Sequence, residues 1–219
     1  MNFEEIKKKT EAFVRDELFT LEPWILNVEW EEKLPKLNEL REKVKSKGLW
    51  LPQIPIEYGG LGLTNAEHGE VSEILGASPY GHYCFNCQAP DAGNMEILIE
   101  FGTDKQKEAY LYPLLKGEIR SCFAMTEPDH AGSNPVKMGT IATKENGNYV
   151  INGHKWFTSG FDGATFAIVM LVSDPDASAP HKKASQMIVP TSSEGLEFVR
   201  NISIMGHPGG GWESHAEIK

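Results

Sequence analysis

CFAMTEPDHAGSNP, residues Cys122 to Pro135, is the stretch on which the reading of the fold turns. An apolar run stops at Thr126-Glu127-Pro128, and a run of small residues, Ala131-Gly132-Ser133-Asn134, comes next. Pro128 forces a turn after the strand. A strand that ends on Thr126 can aim a hydroxyl and an adjacent N–H at a ligand beyond the sheet's end. Gly132 permits close backbone approach there, and Ser133 adds a donor suited to a phosphate. The same residues also make an ordinary strand followed by a proline turn, and spacing alone does not choose between the two.

On the N-terminal side of this stretch the chain has helical periodicity. Phe3, Ile6, Phe13, Val14 and Leu18 fall on one helical face. A second helix is expected from about Pro35 through Leu37, Leu40 and Val44 to Gly48. Thr64 with Glu67 and Thr103 with Gln106 stand at capping-box spacing, which predicts helices from about Asn65 to Leu75 and from Thr103 to a break at Pro113. Another helix is expected from Asn94 to Phe101, ended by Gly102. On the C-terminal side the pattern changes to short apolar runs, FAIVMLV, QMIVP and LEFVRNISI, separated by turn signals. Asn146-Gly147 and Asn152-Gly153 both read as hairpin turns. Helices first and strands second make an α+β chain, with an all-α domain over 1–118 and an antiparallel β-barrel or sandwich domain over 119–219.

A second stretch, INGHKWFTSG, residues 151–160, places Trp156 and Thr158 two apart on an expected strand and so on one face. A flat indole beside a hydroxyl suits a heteroaromatic ring with polar edges, and it equally suits an aromatic packed in a sheet. Cys84 and Cys87 have redox-motif spacing, but neither a βαβ pattern nor a second pair surrounds them, which favours buried thiols over a metal site. The seven histidines show no metal-ligand spacing, and the glycines of 206–211 lack the strand-then-helix context of a dinucleotide fingerprint. The chain of 219 residues carries a net charge of -10 with no long basic run, which argues against nucleic acid as a partner. No apolar stretch reaches the roughly 20 residues of a membrane span. The charged N-terminus lacks the character of a signal peptide, and three cysteines point to a reducing cytoplasm rather than a disulfide framework.

Taken together, CFAMTEPDHAGSNP resembles the first signature of the FAD-dependent acyl-CoA dehydrogenases, and YVINGHKWFTSG resembles their second β-domain signature. EYGGLGL, FGTDKQKEAYLYPLLKGE and GHPGGGWESHAEI match further landmarks of the family in order, and FNCQAPDAGNMEIL and MGHPGG look closest to the branch of mammalian family members ten and eleven. The resemblance implies a helical domain, a β domain and a C-terminal four-helix domain, the last without a matching segment here. It implies oxidation of an acyl-CoA thioester to the 2,3-enoyl form with FAD as hydride acceptor, electron-transfer flavoprotein as the onward carrier, and a homo-oligomer. By motif position, Phe123, Met125 and Thr126 lie along the flavin ring, Trp156 packs on its face, and Thr158 donates near its N5 region. Ser133 reaches the FAD pyrophosphate or the nearby thioester-binding region. Fixed donors at the pyrimidine end stabilise the negative charge that reduced flavin gains there.

The sequence departs from the family in places. The loop between Thr126 and Ser133 is one residue longer and carries His130, Asn134 stands where an aspartate is usual, and one residue fewer separates Lys155 from Trp156. The family's proton-abstracting glutamate belongs to the missing domain, so the resemblance assigns no catalytic residue to this chain and implies a truncated, inactive form. Two other readings stay open: a short protein that binds flavin or a CoA ester or pairs with a partner without chemistry, and an acyl-CoA oxidase or flavin monooxygenase of the same fold.

Overall fold

The computed structural model describes residues 1–132 and 134–219. It contains two compact units, Met1–Glu118 and Ile119–Lys219.

In the first unit, Asn2 opens α1 (Phe3–Phe13) by exchanging hydrogen bonds with Glu5, at 2.9 and 3.1 Å. A π turn at Val14–Leu18 leads into α2 (Phe19–Ile25). The next helix, α3 (Trp30–Ser46), begins before Pro35, which lies inside it. Trp30 packs edge-on against Tyr83, ring centroids 5.4 Å apart, and this burial draws the helix back beyond the expected start. Thr64 and Glu67 form the expected reciprocal cap of α4 (Asn65–Leu75). After α5 (Gly81–Phe85) comes α6 (Asp91–Phe101), a turn longer at its start than the sequence suggests. Thr103 and Gln106 cap α7 (Asp104–Gln106) as expected.

The break expected at Pro113 does not occur. A second π turn, Lys107–Leu111, resets the ladder so that Tyr112 N–H reaches the Lys107 carbonyl. Pro113 then falls in the first turn of α8 (Tyr112–Lys116), where its missing N–H removes no bond, and the helix stops at Gly117 with φ 74°. Leu18, Leu37, Leu40, Leu75, Phe85, Met95 and Leu98 form the fully buried centre of this unit. Truncating any one of these leucines to alanine is expected to cost about 2–5 kcal/mol.

The second unit holds β1 (Ser121–Ala124), β2 (Ile141–Glu145), β3 (Asn148–Asn152), β4 (Lys155–Ser159), β5 (Phe166–Val172), β6 (Ala184–Pro190), β7 (Phe198–Asn201) and β8 (His215–Ile218). The first sheet runs β1-β5-β2-β3, with β6 also on β5; the second runs β4-β8-β7. β1 pairs along Phe166 to Val169 of β5, β2 meets β5 only at Val172, and β6 pairs with the whole of β5. Thus β1 and β2 sit end to end on one edge of β5, and β6 takes the other.

The pairings of β1 and β2 with β5 are parallel, so the unit is mixed rather than wholly antiparallel. Parallel neighbours need a crossover, and the chain supplies it by passing through β4 of the second sheet before returning as β5. Ala216 and Ile218 of β8 join Cys122, Ala124, Ala142, Ala167, Val169 and Leu171 of the first sheet in one core. Four of these eight residues are alanines, which lets the two sheets close on each other.

The two Asn-Gly pairs part company. Asn146 and Gly147, with φ 50° and 85°, make the expected hairpin between β2 and β3. Asn152-Gly153 makes no hairpin, because β3 and β4 belong to different sheets. Gly153 instead lies so close to Thr140 that a Cβ would collide with its side chain.

Candidate functional site

The end of β1 and the start of β4 come together. Trp156 N–H donates to the Thr126 carbonyl at 3.0 Å. The Lys155 ammonium donates to the Met125 carbonyl at 2.8 Å and to Glu127 Oε1 at 2.9 Å. The Glu127 carboxylate also accepts Gly139 N–H at 2.5 Å and Thr140 N–H at 2.9 Å, and His130 Nδ1 lies 3.0 Å from its Oε2. Glu127 and Lys155 side chains are 4% and 3% exposed. Burial works to raise the Glu127 pKa, but the donors from Thr140, Gly139 and Lys155 overcome it and hold the carboxyl down at about 2. Burial lowers the Lys155 pKa, with Glu127 opposing. Glu127 is therefore charged at neutral pH.

Around this knot stand the residues singled out from sequence. Phe123, on β1, and Met125 and Thr126, just past its end, are all half-buried. Gly132 packs on Thr126 so closely that a Cβ would strike the Thr126 methyl, so the small residue makes room for Thr126 itself. Ser133 lies outside the described residues. Trp156 is half-buried and packs against Phe157, ring centroids 5.0 Å apart. Its buried indole Nε1 has no hydrogen-bond partner, and neither has the hydroxyl of Thr158, a residue 1% exposed.

The expectation that Trp156 and Thr158 share a face by simple alternation does not hold. The register of β4 on β8 shifts between Lys155 and Thr158, and Phe157 has φ 49°. A bulge of this kind adds a residue to one strand and re-aims the side chains beyond it. Past the bulge, Thr158 stands opposite Ala216, while Ser159 bonds His215 Nδ1 at 2.8 Å. Among the hydroxyls of β4, that of Thr158 is the one left unpaired.

Sequence reasoning weighed Thr126 and Trp156 but gave no role to Glu127 or Lys155, which join them. The available signal was one acid and one base, each inside one of the two stretches. Cys84, Cys87 and Cys122 are buried and outside any disulfide; burial pushes the Cys84 thiol up to about 12 and raises Cys87 as well. Among the described residues no cluster of three or more metal-ligating side chains occurs, and no helix is long and apolar enough to cross a membrane.

Two family models match: the acyl-CoA dehydrogenase N-terminal domain over residues 2–118 and the acyl-CoA dehydrogenase middle domain over residues 122–215. Mouse acyl-CoA dehydrogenase family member 10 is 40% identical over 220 residues, covering 94% of this chain and 20% of that protein. A solved structure from Mycobacterium abscessus, assigned to the acyl-CoA dehydrogenases, superposes with a TM-score of 0.91 at 34% identity, covering 99% of this chain and 56% of the other. The acyl-CoA dehydrogenase of Bacillus anthracis complexed with FAD gives 0.73 at 26% identity, covering 99% and 34%. The chain thus spans between a fifth and just over half the length of these relatives.

Proposed function

Because this chain belongs to the acyl-CoA dehydrogenase family, we propose that it forms the helical and β parts of an enzyme that oxidises an acyl-CoA thioester to its 2,3-enoyl form. One observation carries the reading: the buried hydroxyl of Thr158 stands without a partner on the strand tied to Thr126. A buried polar group left unpaired costs about 1–3 kcal/mol, so donors of this kind fit a bound ligand with acceptor atoms at its edge. The donor set and the half-buried Phe123, Met125 and Trp156 suit a flat, polar-edged ring, which fits FAD.

In this reading Phe123, Met125 and Trp156 form the walls, Thr126 and Thr158 offer hydroxyls to the ring's polar edge, and Ser133 serves phosphate or thioester. The chemistry FAD supplies when bound is acceptance of a hydride from the substrate. The chain's own part is to bind and orient: the donors are fixed in advance and cost no reorganisation as negative charge develops. The proton-abstracting glutamate lies beyond the two domains matched, so residues 1–219 alone are expected to bind but not to turn over. A homo-oligomer that passes electrons to an electron-transfer flavoprotein completes the proposal, and three cysteines outside any disulfide suit the reducing cytoplasm.

The test is an FAD titration of the chain followed by flavin fluorescence, with Thr158→Val and Ser159→Ala alongside. Binding weakened by Thr158→Val and left alone by Ser159→Ala supports the reading. No FAD binding by the chain, nor by any longer form containing it, ends it.

A further inference from the structure

The chain leaves the edge of β5 after Ala124 and returns to the same edge at Ile141, so the intervening segment is a loop with a narrow mouth. One side chain closes that mouth. Glu127, just past the exit, accepts from Gly139 and Thr140, just before the return. Lys155, from the other sheet, binds the same carboxylate and the Met125 carbonyl. The Trp156 amide holds the Thr126 carbonyl between them. Residue 126 is therefore gripped through the carbonyls of 125 and 126 and the side chain of 127, while the Thr126 side chain takes no part in the grip.

We propose that Glu127 and Lys155 are positioning residues for the ligand site, setting the separation of Thr126 from Trp156 across the two sheets. The inference rests on the reading of those two residues as cofactor contacts. A buried ion pair is weak evidence for stability, since apolar residues of equal volume often serve as well. What such a pair adds is direction. Glu127 receives donors from two separate segments, 139–140 and 155, which meet both of its oxygens, and His130 Nδ1 lies 3.0 Å from Oε2. Small misplacements of positioning groups weaken sites disproportionately.

The experiment compares the chain with Glu127→Gln and Glu127→Asp. The first keeps the shape and removes the charge; the second keeps the charge and shortens the reach. Far-UV circular dichroism establishes folding. FAD affinity and the visible spectrum of the bound flavin at saturation are then recorded, together with hydrogen exchange of the Gly139, Thr140 and Trp156 amides without FAD. The expected result is affinity weakened about tenfold in both variants, a bound-flavin spectrum moved toward that of free flavin, and faster exchange at the three amides. A merely structural pair would lower stability and leave the spectrum of the saturated complex unmoved, and that result overturns the proposal. Should Glu127→Gln fail to fold, an unmoved spectrum in Glu127→Asp overturns it equally. If the unaltered chain binds no FAD, the flavin reading fails by itself. The exchange rates then decide the clamp: unchanged rates overturn it, faster ones support it.

Discussion

In the helical unit, the polar side chains that start helices reach three residues along the chain: Asn2 to Glu5, Thr64 to Glu67, Thr103 to Gln106. In the β unit, the polar side chain that shapes the site reaches across two sheets, from Glu127 to Lys155. The first kind of contact specifies a segment and is repeated wherever a segment begins. The second specifies a place, and there is one of it among the described residues of the site. Losing a cap frays a helix end in water, whereas losing one member of the pair strands a buried charge.

The sharpest way to break this comparison is Lys155→Met. It leaves the Glu127 carboxylate buried without its cation and is expected to cost about 3–5 kcal/mol in chemical denaturation. A loss no larger than that of a helix cap removes the distinction. Acid titration comes next. The Glu127 pKa is about 2 in the folded chain against an ordinary value of 4.5, so its contribution is complete above the ordinary value. That contribution fades as pH falls toward about 2. Glu127→Gln should flatten the stability profile in that window, and a profile that keeps its slope contradicts the assignment. Gly153→Ala, which drives a methyl into Thr140 beside the clamp, is expected to cost about 1–3 kcal/mol. The smallest effect is Thr64→Ala, about 1 kcal/mol by thermal melting.

Sequence was a good guide wherever the contact was local. The Thr64–Glu67 and Thr103–Gln106 capping boxes and the Asn146-Gly147 hairpin need only residues within a turn of each other, and each appears where expected. It misled where a distant partner intervened. Asn152-Gly153 has the composition of a hairpin, but Thr140 and the change of sheet claim that segment. Pro113 has the composition of a helix stop, but the π turn before it moves the ladder into register with the proline. At the site, the Trp156 amide reaches the Thr126 carbonyl, a contact between the two motifs that neither motif shows by itself. The alternation argument for Thr158 failed because a bulge at Phe157 lies between it and Trp156. Strand spacing carries no trace of that extra residue, and the Glu127–Lys155 pair is invisible until the sheets are folded together.

The seating of β1 and β2 end to end on β5 also bears on tolerance to changes of loop length. Segment 128–138 can gain or lose residues without moving any strand register, because Glu127 joins its two ends independently of the length between them. Insertions there are expected to leave the pairing of β1 and β2 with β5 intact.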